Sequence, residues 1–154
     1  MRNIQTGMRA SAALLLLLSL AACNKKNDAA TASDTSALDA TPDSQPLRVS
    51  DIEVGRRIGA DKKITDQTSD FGVRDTIYAS VTTEGAATSS NLAAKWTFNG
   101  KQVVDSSTHN LSPRGGTNVT EFHITKASAW PKGAYKVEIL LDGVSAGSKD
   151  FNVK

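Results

Sequence analysis

Leu92-Ala93-Ala94-Lys95-Trp96-Thr97-Phe98-Asn99-Gly100-Lys101-Gln102-Val103-Val104 is the stretch on which the fold turns. Leu92, Ala94, Trp96 and Phe98 alternate with Ala93, Lys95, Thr97 and Asn99, a period of two that puts the large apolar side chains on one face of an extended strand. Asn99-Gly100 then interrupts the pattern. That dipeptide tolerates the positive backbone angles of a two-residue hairpin turn, so the chain is expected to return as a second strand over Lys101 to Ser106.

The same alternation extends on both sides. Ile77, Ala79 and Val81 form one inward row; Thr120, Phe122 and Ile124 form another, with Glu121 and His123 facing out. Tyr135, Val137, Ile139 and Leu141 form a third. Asp142-Gly143 predicts a second hairpin into a last strand over Val144 to Val153, with a bulge at Gly147 or Ser148 returning Phe151 and Val153 to the core. Towards the N-terminus, Val49, Ile52 and Val54 suggest an opening strand, and Ile58 and Ile64 a short one. No segment of the module keeps apolar positions at helical spacing over eleven residues. The reading is an all-β module over residues 47–154, a sandwich of about seven to eight antiparallel strands around one core.

Two motifs sharpen this. Trp96 lies on a central inward row, and Trp130-Pro131-Lys132-Gly133-Ala134-Tyr135 leads into a late strand. Over about residues 70–154 this is similar to the immunoglobulin-like class, which buries a tryptophan on its third main strand and a corner tyrosine at the start of its penultimate one. The resemblance implies structural roles for Trp96 and Tyr135, with Asn99 and Gly100 as the turn between two strands. The antibody-type cysteine pair is missing, so packing alone must hold the two sheets, and cysteine-free sandwiches such as fibronectin type III are equally compatible.

The N-terminus has a different character. Arg2 and Arg9 precede an unbroken apolar run from Ala12 to Leu18, closing on Leu20-Ala21-Ala22-Cys23. A charged lead, a short apolar core and small residues before a cut site are the parts of an export signal, and the core is too short to be a permanent span. The tetrapeptide resembles the lipobox of bacterial lipoproteins. That resemblance implies removal of residues 1–22 and acylation of Cys23, the chain's one cysteine, with palmitate or a similar fatty acid. Asn24 stands where the same resemblance would place an inner-membrane retention aspartate, which implies sorting to the outer membrane, facing the periplasm. After Cys23, residues 24–46 are mostly Ala, Thr, Ser, Asp and Asn, with Lys25, Lys26, Gln45, two prolines and only Leu38 as a large apolar residue, the composition of a flexible tether. Such a tether spans roughly 25 to 30 Å root-mean-square.

Charge narrows the partners. The chain has 18 basic and 16 acidic residues. Without Arg2 and Arg9 the mature chain is formally neutral, with no basic stripe for nucleic acid. Catalytic signals are equally sparse. Gly143-Val144-Ser145-Ala146-Gly147 matches the nucleophile-elbow spacing, yet it follows a hairpin and no histidine comes after it. His109 and His123 are the only histidines, and neither has metal-ligand spacing with nearby acids, so no metal, no cofactor and no enzyme activity is predicted. His109 and Arg114 are placed on a loop, His109-Asn110-Leu111-Ser112-Pro113-Arg114-Gly115-Gly116, and Trp130 at a corner; these three are the candidate binding residues. Lys95, Thr97, Lys136, Glu138 and Leu140 would share one outward face if their strands pair. The expected function is a non-enzymatic envelope module that binds another protein. The alternatives are an inhibitor or immunity-type lipoprotein that blocks a hydrolase, and a passive structural protein of the envelope.

Overall fold

The alternating rows become eight strands in the computed structural model, which describes residues 45–154. They are β1 (Arg48–Gly55), β2 (Asp70–Phe71), β3 (Ile77–Ala86), β4 (Ser90–Phe98), β5 (Gln102–Leu111), β6 (Arg114–Ile124), β7 (Gly133–Leu141) and β8 (Val144–Val153). The export signal, Cys23, Asn24 and the tether up to residue 44 lie outside the described residues.

A three-stranded sheet in the order β1-β3-β6 packs on a five-stranded sheet in the order β2-β8-β7-β4-β5. With β3, β4, β6, β7 and β8 in the places of strands B, C, E, F and G, this is an immunoglobulin-like β-sandwich. One pairing departs from the all-antiparallel expectation: β2 runs parallel to β8, with Asp70 opposite Asn152 and Phe71 opposite Val153. The cause is the chain's switch between sheets after β1, which brings it alongside β8 in the same direction.

The core lies between the sheets. Ile77, Ala79 and Val81 of β3 and Phe122 and Ile124 of β6 face Leu92, Ala94 and Trp96 of β4 and Tyr135, Val137 and Ile139 of β7, all buried. Trp96 has no exposure, and Phe151 sets its ring edge-on to it at 6.0 Å while stacking on Tyr135 at 5.5 Å. The Tyr135 hydroxyl donates to the carbonyl of Pro131 at 2.8 Å, the corner arrangement of this class, and burial raises its pKa above the ordinary phenol value. Val137, two residues further on where antibody domains carry a cysteine, is wholly buried, so aliphatic packing replaces the bridge.

Several local expectations need correction. The Asn99-Gly100 turn has three residues, because Phe98 pairs with Gln102; Asn99 (φ 49°) and Gly100 (φ 69°) take the predicted positive angles and Lys101 N–H donates back to Phe98. β5 continues to Leu111, so His109 is on a strand and not a loop. β6 begins at Arg114 and takes in Gly115 and Gly116, which leaves only Ser112 and Pro113 to connect the sheets. Ile58 and Ile64 form a single isolated bridge in place of a strand. The Asp142-Gly143 hairpin has two residues, and the register break between Ile139 and Leu140 leaves Ala146 unpaired beside Gly147, which turns Phe151 and Val153 inward.

Candidate recognition surface

Pairing of β4 with β7 puts Phe98 opposite Tyr135, and the turn after β4 and the corner before β7 therefore meet at one end of the sandwich. Between them lies a groove of about 260 Å³. Its floor is aromatic: Phe98 and Tyr135 lie 4.8 Å apart, and Trp130 meets Tyr135 edge-on at 6.2 Å. Val103 and Val104 of β5 make one wall, while Thr125 and Lys126, just past β6, make the other. Val103 is 53% exposed, one of two large apolar side chains the domain leaves in water. Lys126 holds its ammonium 5.9 Å from the Trp130 ring centre, within cation–π range. An apolar floor with one cation on its rim suits an apolar or aromatic side chain that has a carboxylate nearby.

Trp130 does not present its ring as the exposed anchor expected of a recognition residue. It is 7% exposed; its backbone N–H donates to Val73 at 2.7 Å and its indole Nε1–H to the carbonyl of Asp75 at 3.0 Å. Those bonds tie the segment after β2 to the corner and leave only one edge of the indole to line the groove. Asp75 is itself fixed: its Oδ2 accepts from Arg56 Nε at 2.9 Å and from Gly72 N–H at 2.8 Å. Arg56 also donates to the carbonyl of Asp70 at 2.6 Å and lies over the Phe71 ring at 5.9 Å.

Arg114 and His109 are elsewhere. Arg114 lines a wider and more open depression of about 570 Å³ with Ala86, Ala87, Thr88, Ser112 and Pro113 at the opposite end of the sandwich. His109 sits on β5 opposite Leu92, its ring edge-on to Phe122 at 5.0 Å. The three candidates thus do not converge: Arg114 opens β6, and Trp130, on the connection between β6 and β7, is nearly buried. The outward row does assemble: Lys95 pairs with Glu138 at 3.5 Å and Lys136 with Asp150 at 3.5 Å on the outer face of the five-stranded sheet. A hydrogen bond from Ser145, with Lys95 and Lys136 beside it, lowers the Glu138 pKa below the usual carboxylate value. Ser145, the serine of the elbow-like motif, is therefore on β8 with a carboxylate as partner, and His123 is engaged with Glu121 at 2.6 Å. Among the described residues, no group of three or more His, Cys, Asp or Glu side chains could hold a metal ion.

The far end is built from polar contacts. Asp142 accepts from the Ser90 hydroxyl at 2.6 Å and from the Asn91 N–H at 2.7 Å, while its own N–H donates to the Asn91 carbonyl at 2.8 Å. The two bonds accepted by its carboxylate lower the Asp142 pKa. Asn110 Nδ2 donates to Ser89 Oγ and Asn91 Oδ1, both at 3.2 Å. The chain also joins the sandwich here: Pro46 bridges to Ala86, and Leu47 N–H donates to Ala86 at 3.1 Å.

Sequence reasoning missed Phe98, Val103, Val104 and Lys126 as groove residues. The signal was available in part, since an Asn-Gly turn and a Trp-Pro corner flank strands that pair once Trp96 and Tyr135 share a core.

No protein-family model matches the chain, and no curated protein matches it. Solved structures of similar shape include an immunoglobulin-like protein of Pseudomonas aeruginosa, at TM-score 0.47 and 16% identity, covering 72% of this chain and 98% of that one. An alkylpurine DNA glycosylase of Pseudomonas fluorescens, bound to DNA containing an abasic-site analog, gives TM-score 0.47 and 16% identity over 70% of this chain, which spans only 30% of the glycosylase. The CARDB domain of a Pyrococcus furiosus protein, in complex with di-metal ions, gives TM-score 0.41 and 17% identity over 70% of this chain and 85% of that domain. These are likenesses of shape and say nothing of activity or ligand.

Proposed function

We propose that this chain is a lipid-anchored lipoprotein of the bacterial envelope, a non-enzymatic module that binds a protein partner through the groove at Phe98, Val103 and Lys126. The observation that carries the reading is the polarity of the domain. The chain enters at Pro46, beside Ala86, whereas the groove lies at the other end of β3, where Ile77 pairs with Ile124 just before Thr125 and Lys126. The ten residues of β3 separate the two ends by about 30 Å. A domain held through acylated Cys23 is attached at its polar end, which leaves the groove at the end remote from the attachment. Outer-membrane sorting through Asn24 would aim it into the periplasm. A groove of this size takes one side chain, so the partner is expected to insert a single aromatic or aliphatic residue flanked by an acid.

The test is crosslinking of the tagged full chain in its native host, followed by purification and mass spectrometry, with Cys23→Ser and Lys126→Glu forms alongside. The reading expects one stoichiometric partner that the Lys126→Glu form loses, and an acylated Cys23 in the membrane fraction. An unmodified Cys23 overturns the anchor. Absence of a partner, or a partner indifferent to Lys126, overturns the groove and leaves the passive envelope role; a hydrolase as partner would favour the inhibitor role.

A further inference from the structure

Four strand edges are uncovered among the described residues: β1 and β6 in one sheet, β2 and β5 in the other. An open edge offers unpaired N–H and C=O groups to any extended chain, and folded proteins usually blunt it with charge, proline, bulges or brevity. β2 is blunted by its two-residue length. β1 carries Arg48, Asp51 and Glu53 and breaks register between Val49 and Asp51. β6 bulges at Gly115 and Gly116, both at positive φ, and carries Arg114 and Glu121. β5 differs from all three. Its one bulge, at Val104, lies near its start and its one charge is Asp105; from Asp105 to Leu111 it pairs without a break against Trp96 to Ser90, and it contains no Lys, Arg, Pro or Gly.

The geometry points to a second copy of this chain as the occupant of that edge, in an antiparallel two-fold β5–β5 pairing centred on Ser107. In a two-fold continuation of the sheet, residues directly opposite must face the same side, so the axis passes through one residue. With Ser107 on the axis, Asp105 of each copy stands opposite His109 of the other, and Ser106 opposite Thr108. Asp105 and His109 are both exposed and have no ion-pair partner among the described residues. The symmetric pairing gives each the partner it lacks, and does so twice. Centring on Ser106 sets Asp105 opposite Ser107, and centring on Thr108 sets it opposite Leu111; both lose the complementarity. The pairing merges two five-stranded sheets into one of ten strands. Carried beyond its five central positions, the register sets Val104 opposite Asn110 and Val103 opposite Leu111 at the groove's edge, so the groove is tested separately by Lys126→Glu, which lies off β5 and should leave the pairing intact.

The experiment uses the full chain carrying Cys23→Ser, which removes its one native thiol. Sedimentation at micromolar concentration is expected to give twice the monomer mass. Ser106→Lys with Thr108→Lys sets ammonium against ammonium across the axis and is expected to return the monomer mass, with the thermal melt of the unmodified domain showing that the fold persists. Ser107→Cys is expected to form a disulfide-linked dimer under mild oxidation, because opposite Cα atoms of an antiparallel pair, about 4.5 to 5.5 Å apart, suit a disulfide. Ser148→Cys, exposed on β8, is expected to form no disulfide-linked dimer. A monomer in the absence of the lysines, or a dimer that survives them, overturns the proposal. A dimer lost to the lysines but without the Ser107→Cys crosslink overturns the register and the Asp105–His109 argument with it.

Discussion

The two ends of the sandwich solve the same problem with different chemistry. At the far end the hairpin of Asp142 and Gly143 folds over Ser90 and Asn91, and one carboxylate accepts two short hydrogen bonds. At the groove end the closure is aromatic, with Phe98, Tyr135 and Trp130 set against one another and Val103 left in water. Polar groups that satisfy one another leave little for a partner to gain, whereas partly covered aromatic and aliphatic surface still has burial to offer. On the proposed reading the groove end is the one that meets a partner, and the polar end, where the chain joins the domain, is the one left for attachment.

Substitutions can break this comparison in graded steps. The largest effect belongs to the centre that both ends share: Trp96→Ala is expected to cost about 3 to 5 kcal/mol in denaturant unfolding, since the ring is wholly buried. Its Nε1 has no hydrogen-bond partner, so Trp96→Phe should lose packing but no bond, and cost markedly less. Trp130→Ala removes a nearly buried ring and its donor to Asp75, and is expected to cost about 3 kcal/mol and to abolish partner binding at temperatures where the domain is still folded. Tyr135→Phe deletes only the bond to Pro131, for about 1 kcal/mol, readable as a small shift in the denaturation midpoint.

The smallest effect is electrostatic and confined to the polar end. The folded pKa of Asp142 is lowered, so its carboxylate contributes stability above the unfolded Asp value of about 3.9, and that contribution disappears as pH falls through the lower folded value. Glu138 has the same sign. Unfolding followed as a function of pH should therefore show stability falling on acidification through the carboxylate range, with a shallower fall in Asp142→Asn. An equal fall in that variant would remove Asp142 from the account.

What could be read from the sequence tracks the physics of each region. Where a strand has one face in the core and one in water, as over Leu92–Phe98 or Tyr135–Leu141, burial writes a period of two into the residue types, and both hairpins announce themselves by residues that tolerate positive φ. β5 was read too short because an edge strand with little apolar burial has no alternation to display; Ser106 to Asn110 are polar on both faces. Residues 56–75 were opaque for a related reason. Arg56 holds that crossing through Asp75 and the carbonyl of Asp70, and long-range hydrogen bonds leave no periodic trace. The groove shared both difficulties, since its walls come from four separate places in the chain and only pairing brings Phe98 to Tyr135.

The two exposed large apolar side chains among the described residues allow the most direct test, because they lie at opposite ends: Val103 beside the groove, Val144 on the Asp142-Gly143 hairpin at 71% exposure. A photo-crosslinking residue placed at each in turn, in the full chain in its native host, reports which end meets a partner. The account predicts a discrete adduct of one protein from position 103 and none from position 144. Adducts from 144 alone, or the same adducts from both, would contradict it.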